Sequence, residues 1–298
     1  MKAAFYTLGC KVNQYETEAM AESFADSGYE IKEFTEVADV YVINTCSVTN
    51  MGDRKSRQII RRAKKLNPNA VIAVTGCYAQ TAPDEVLAIE GVNLVLGTKD
   101  RKNIVTLVEE LNTESNINHV SDIMSNHEFE ELQIKQYSNR TRAFIKIQEG
   151  CNQFCSYCII PYARGPVRSR AKDDVVREIK ELAHNGFKEI ILVGIHVASY
   201  GVDLGDTTLE SLIMDVDKID GVERIRLSSI EPMTLNQEFI DSIKDSKKLC
   251  HHFHISLQSG CDETLKRMNR KYTTAQFKGI VDGLREAFDD VAITTDIM

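Results

Sequence analysis

The stretch Gly150-Cys151-Asn152-Gln153-Phe154-Cys155-Ser156-Tyr157-Cys158 decides how the chain is read, because it puts three thiols within eight residues at the spacing C-x3-C-x2-C. It follows directly on residues 143–148, which read as a β-strand. In folds made of repeated strand–helix units, active sites lie past the carboxyl ends of the strands. A structural zinc site would close with a fourth Cys or His, and ferredoxin runs use four cysteines at other spacings. Three thiolates therefore suit a four-iron cluster with one iron left open to an outside ligand. Zinc, or a chance grouping, is the alternative.

Working outward, residues 189–194, 224–228, 253–257 and 291–295 read as further strands, and residues 173–185 and 275–288 as the clearest helices between them. Such alternation predicts successive βα units of a barrel or open parallel sheet. The amino-terminal part alternates as well, with strands at 3–8, 40–44, 71–75 and 93–96 and helices at 16–27, 54–66 and 101–111. Its strands are continuously apolar, which predicts an α/β, doubly wound parallel sheet covered on both faces. Residues 113–139 are polar and mostly acidic and read as a linker with one edge strand. The expected division is thus 1–112, a linker 113–139, and 140–298. The chain stops at Asp296-Ile297-Met298, directly after a strand, so the second domain is expected to be incomplete.

A second cysteine set is dispersed. Cys10, Cys46 and Cys77 occur as Leu8-Gly9-Cys10, Asn44-Thr45-Cys46 and Thr75-Gly76-Cys77, each about two residues beyond a strand. A parallel sheet would bring all three to the same carboxyl edge, where open α/β sheets bind ligands. They suit a second open-iron cluster; the alternative is three cysteines that merely cap strands, since free Cys is a common core residue. Cys250 and Cys261 have no such companions and read as structural. His252 and His254 share a strand face, yet no carboxylate or Cys spacing accompanies them, so packing is preferred to metal binding.

Of the 298 residues 43% are apolar, enough for real cores, and no apolar run could span a bilayer. The start, Met1-Lys2-Ala3-Ala4-Phe5-Tyr6, lacks a signal peptide's regions, so a cytoplasmic protein with no membrane partner is expected. In that setting eight cysteines point to metal ligands or core residues rather than disulfides. The net charge of −8 argues mildly against a nucleic-acid partner. The basic run from Arg54 to Lys65 is the exception; it suits RNA phosphates or a solvated helix face equally well.

Taken together, Leu8-Gly9-Cys10-Lys11-Val12-Asn13-Gln14-Tyr15-Glu16, Asn44-Thr45-Cys46-Ser47-Val48-Thr49, Thr75-Gly76-Cys77, Gly150 through Pro161, Arg164-Gly165-Pro166, Val193-Gly194-Ile195-His196, Ser229-Ile230-Glu231-Pro232 and His254 through Gly260 resemble the radical S-adenosylmethionine (SAM) methylthiotransferases. Lys266-Arg267-Met268-Asn269-Arg270 continues the match. The resemblance implies an incomplete radical-SAM (β/α) partial barrel after the first domain. It implies two [4Fe-4S] clusters, one on Cys151, Cys155 and Cys158, the other on Cys10, Cys46 and Cys77. SAM would chelate the open iron of the first and be cleaved reductively to a 5′-deoxyadenosyl radical. Tyr157 would lie near the adenine, and Gly194, Glu231, Gln258 and Ser259 near SAM. The second cluster would deliver sulfur. An electron donor is required. Lys11 through Glu16 and Asp53-Arg54-Lys55-Ser56-Arg57-Gln58 look most like the branch acting on C2 of N6-threonylcarbamoyladenosine beside the tRNA anticodon. Two other branches act on isopentenyladenosine in tRNA and on a ribosomal protein. An iron–sulfur electron carrier or RNA-binding scaffold is the non-enzyme alternative. The small carboxyl-terminal RNA-binding barrel usual in the family is missing from this sequence.

Overall fold

The computed structural model describes residues 1–111, 115–132, 134 and 141–298. They form two compact units, one of Met1–Ile134 with Ile159–Pro166, the other of Lys135–Cys158 with Val167–Met298.

The first unit holds β1 (Lys2–Thr7), α1 (Lys11–Asp26), β2 (Glu30–Lys32), β3 (Val40–Thr45), α2 (Asn50–Leu66), β4 (Val71–Gly76), α3 (Cys77–Thr81), α4 (Pro83–Leu87), β5 (Leu94–Leu96), α5 (Ile104–Glu109), β6 (Ile117–His119) and the short α6 (Ile160–Arg164). Its six strands are parallel in the order β2-β1-β3-β4-β5-β6. Every residue of β3 and β4 is buried, as a central parallel strand requires. Alternation divides them between two cores. Val40 and Val42 pack with Met20 and Phe24 of α1 and with Ile104 and Val108 of α5. Tyr41 and Ile43 face the opposite way, toward Ile60 and Ala63 of α2 and Val86 of α4. The chain leaves β1 toward β2 and leaves β3 toward β4, so the winding direction reverses between β1 and β3. A crevice for ligands opens at such a reversal. Within residues 113–139, β6 pairs with β5 at the sheet edge.

The second unit holds β7 (Arg142–Glu149), β8 (Arg168–Ser169), α7 (Lys172–His184), β9 (Glu189–Gly194), α8 (Leu209–Asp217), β10 (Arg224–Leu227), α9 (Gln237–Ile243), β11 (His252–His254), α10 (Asp262–Arg267), α11 (Thr274–Ala287) and β12 (Ala292–Thr294). Strands β7, β9 and β10 are parallel neighbours. Bridges Ile225 to Leu249 and Ile230 to Ile255 carry the curvature on to β11, which pairs in parallel with β12. This is a curled half-barrel of βα units. The two-residue β8 runs antiparallel to β7, too short to leave a periodic trace in the sequence. Cys261 is exposed at the N-cap of α10, and a hydrogen bond from the Thr264 backbone holds its thiol pKa below the ordinary value.

Candidate metal centres

In the second unit Cys151, Cys155 and Cys158 occupy the loop that leaves the carboxyl end of β7, and all three are half-buried. The loop is tight: Gly150 has φ +77°, and Phe154 adopts φ +47°, a left-handed conformation costly for a bulky side chain. The segment after α10 stabilises that shape. Asn269 donates from Nδ2 to the Phe154 carbonyl at 2.9 Å; the Ser156 amide donates to the Met268 carbonyl at 3.1 Å and its hydroxyl to the Arg267 carbonyl at 2.9 Å. Arg270 then points a guanidinium N–H at Cys155 Sγ, 3.4 Å away. It also donates to the Ser256 carbonyl at 3.2 Å and the Tyr272 hydroxyl at 3.1 Å, and lies 3.7 Å from Glu231 Oε1. Burial pushes the Cys151 thiol up to about 11, and Cys158 and Cys155 raise it further. Burial likewise pushes Tyr157 up to about 12.

The other residues expected near SAM follow successive strands at this edge. Gly194 ends β9, where an added Cβ would meet Gln148 Oε1 at 2.9 Å and Val197 Cγ2 at 3.0 Å. Gln148 links the two strand ends: its amide donates to the Glu149 and Gly150 carbonyls at 2.7 and 2.8 Å, while its oxygen accepts from the His196 amide at 2.7 Å. Glu231 follows β10, is buried, and caps the turn Pro232–Thr234 through the Met233 amide at 2.9 Å. Burial raises its pKa. Gln258, at φ +67°, and Ser259 follow β11. Sequence reasoning assigned no role to Arg270, Gln148 or His196. His196 Nδ1 lies 2.7 Å from Ser199 Oγ, whereas its buried Nε2 has no hydrogen-bond partner among the described residues. Burial, aided by the Arg270 charge, lowers its pKa to about 4 and keeps the ring neutral.

In the first unit Cys10, Cys46 and Cys77 follow β1, β3 and β4 at the carboxyl edge of the sheet, the first two flanking the winding reversal. Cys10 occupies the N-cap of α1 without a side-chain cap bond, a position where Ser, Thr, Asp or Asn would serve the helix better. Gly9, at φ +103°, admits the close approach of Cys46: a Cβ there would lie 2.9 Å from Cys46 Cβ and 3.1 Å from its Sγ. Asn13 joins the loops, donating from Nδ2 to the Leu8 carbonyl at 2.8 Å and the Thr45 carbonyl at 2.9 Å. Its Oδ1 lies 3.6 Å from Cys10 Sγ.

Cys77 is 3% exposed and begins α3. Burial pushes its thiol up to about 11, opposed by Arg164, whose Nε donates to Cys77 Sγ at 3.3 Å. The Cys46 thiol is also raised, first by burial and further by Cys10. Arg164 and Glu16 are fully buried and paired at 2.6 and 3.1 Å, and Arg101 closes on the same carboxylate at 2.5 Å. Breaking a buried pair of this kind costs about 3–5 kcal/mol.

Among the described residues no three His, Cys, Asp or Glu side chains form a group able to hold a metal ion. A four-iron cluster spaces its ligands more widely than a single ion, and the donor chemistry fits one: three soft thiols per set, with one guanidinium on a sulfur in each. A three-thiol loop at the carboxyl edge of a curled βα sheet is the frame of a radical SAM protein.

Comparisons with known proteins agree. Residues 145–298 match the Radical SAM superfamily, and residues 2–97 match the family described as Uncharacterized protein family UPF0004. Over 297 residues the chain is 49% identical to the threonylcarbamoyladenosine tRNA methylthiotransferase MtaB of Bacillus subtilis (strain 168), covering 99% of this chain and 66% of that protein. It is 42% identical to the protein of the same name from Aquifex aeolicus (strain VF5), covering 100% and 73%. A tRNA-2-methylthio-N(6)-dimethylallyladenosine synthase of Thermoanaerobacter pseudethanolicus is 38% identical, with 98% and 63% covered. In structure, the radical SAM methyltransferase TsrM of Kitasatospora setae superimposes with a TM-score of 0.68 at 15% identity, covering 100% of this chain and 69% of that one, which speaks for the fold. The chain belongs to the radical SAM superfamily and, within it, to the methylthiotransferase family.

Proposed function

We propose that the chain carries the reactive core of an enzyme that adds a methylthio group to C2 of N6-threonylcarbamoyladenosine beside the anticodon of tRNA. The observation that carries this reading is the pair of three-thiol sets, each at the carboxyl edge of its own sheet and each with an arginine on one sulfur. In this reading residues 1–112 form the domain of an auxiliary [4Fe-4S] cluster on Cys10, Cys46 and Cys77, and residues 140–298 form the radical SAM domain. Cys151, Cys155 and Cys158 hold the open-iron cluster, which when bound to SAM supplies the electron for its reductive cleavage. Tyr157 would border the adenine, Gly194 would lie beside SAM at the end of β9, and Glu231, Gln258 and Ser259 would offer it polar groups. Arg270 donates to Cys155 and supports its negative charge. The Gln148 bridge holds the ends of β7 and β9 in register.

Relatives named for threonylcarbamoyladenosine reach 49% and 42% identity, against 38% for one named for the dimethylallyl nucleoside, which favours the first substrate. The reaction places the protein with cytoplasmic tRNA and requires an electron donor. Mass spectrometry of tRNA nucleosides from a deletion strain tests the assignment: threonylcarbamoyladenosine lacking its methylthio group is expected. Loss of the methylthio group from isopentenyladenosine instead would overturn the choice of substrate.

A further inference from the structure

Six residues after Cys158 along the chain, Arg164 ends α6 within the first unit, beside the other cysteine set. All three nitrogens of its guanidinium are engaged. Nε faces Cys77 Sγ at 3.3 Å, one terminal nitrogen binds Glu16 Oε1 at 2.6 Å, and the other binds Asn13 Oδ1 at 2.6 Å and Glu16 Oε2 at 3.1 Å. Asn13 in turn touches Cys10 Sγ and ties the loop before Cys10 to the residue before Cys46. One side chain thus reaches the first thiol directly and the loops of the other two through a single asparagine. A guanidinium has five donors in a rigid fork and never loses its charge, so it suits this role in a way a lysine does not. The Glu16 carboxylate is shared between Arg164 and Arg101, and Arg101 takes a second partner in Glu130. Glu16 therefore neutralises Arg164 only in part, and the Nε edge turned to Cys77 keeps positive character.

Resting on the two-cluster reading, we propose that Arg164 is a positioning residue for the Cys10, Cys46 and Cys77 centre: it orients Cys77 and Asn13 and sets the reduction potential of a cluster held there. A hydrogen bond and a positive charge at a ligating sulfur stabilise the more reduced, more negative state, so the potential rises where they are present. The radical SAM motif is then continuous in sequence with the residue that tunes the other centre.

The test uses the whole chain carrying Cys155→Ala, so that iron reports on the first unit's set, reconstituted anaerobically with iron and sulfide. Arg164→Gln is expected to retain iron several-fold less well and to shift the midpoint potential, read by electron paramagnetic resonance titration, to a more negative value. Arg164→Lys should recover part of the shift. Glu16→Gln leaves the guanidinium on Cys77 and removes a negative charge beside it, so it should not shift the potential to a more negative value, though it also weakens the buried pair. Unchanged potential and iron retention in Arg164→Gln, or equal losses in Arg164→Gln and Glu16→Gln, would overturn the inference. No iron bound in the Cys155→Ala parent would instead remove the two-cluster reading itself.

Discussion

The two cysteine sets are built from the same parts by opposite routes. Cys151, Cys155 and Cys158 share one loop, half-buried and pinned from outside by residues 267–270. Cys10, Cys46 and Cys77 come from three strand ends, and the whole sheet must fold before they meet. The loop arranges its donors by local geometry. The dispersed set relies on long-range packing and a buried ion network. The comparison teaches that loop donors can be removed without harm to the sheet, whereas changes at the dispersed set touch fold and ligation together.

The largest effect expected from this contrast is a separation of roles. Cys155→Ala should abolish 5′-deoxyadenosine formation from SAM in the reduced protein. Cys46→Ala should leave that formation detectable while methylthio insertion into tRNA stops. Each should lower iron from about eight to about four per chain if both clusters are of the four-iron type. Circular dichroism must show both variants folded; equal loss of SAM cleavage in the two would erase the distinction. Next in size is Arg270→Gln, which removes the N–H facing Cys155 and should lower SAM cleavage by roughly 10–100-fold. Iron content alongside the assay separates failed ligation from failed reactivity.

Gly9→Ala sharpens the comparison from the other side. It forces a Cβ against Cys46 at a left-handed φ, which costs about 1–3 kcal/mol, and iron loss should be confined to the dispersed set. Urea unfolding checks the cost, and iron analysis in parallel Cys155→Ala and Cys46→Ala backgrounds checks the confinement, with iron expected to fall only in the first. On α2, Arg54, Lys55, Arg61, Arg62 and Lys65 are exposed, with no ion pair among the described residues. Arg61→Glu with Lys65→Glu should weaken tRNA binding, and the slope of log affinity against log salt should become shallower by about 1 for each phosphate no longer bound. The smallest effect concerns pH in the iron-free chain. Cys77 and Cys151 are raised to about 11 from 9.0, so their contribution to stability is complete below pH 9 and disappears as pH rises to about 11. Chemical unfolding at pH 8 and pH 11 should show the fall, smaller in Cys77→Ser.

Much of this architecture is legible in the order of residues. The C-x3-C-x2-C loop is local, so spacing alone speaks for it. The edge position of Cys10, Cys46 and Cys77 follows from alternating apolar strands, because parallel strands put all their carboxyl ends on one side. Less visible are β8, with two residues and no period, and the split of residues 101–111 into a 3-10 turn, Arg101–Asn103, and the short α5. Arg164, Arg270, Gln148 and Asn13 carry no local signal, because a side chain's partners 32 to 151 residues away leave no spacing to read.

By itself, then, the sequence determined the α/β class, the two thiol sets and the sheet edge each would occupy, since these follow from chain-local periodicity and strand direction. Only the tertiary structure decided the strand order with its reversal between β1 and β3, the Gly9–Cys46 approach, and which arginine faces which sulfur. Those depend on packing between segments far apart in the chain, where the burial of one guanidinium is stable only if its carboxylate, amide and thiol partners arrive together.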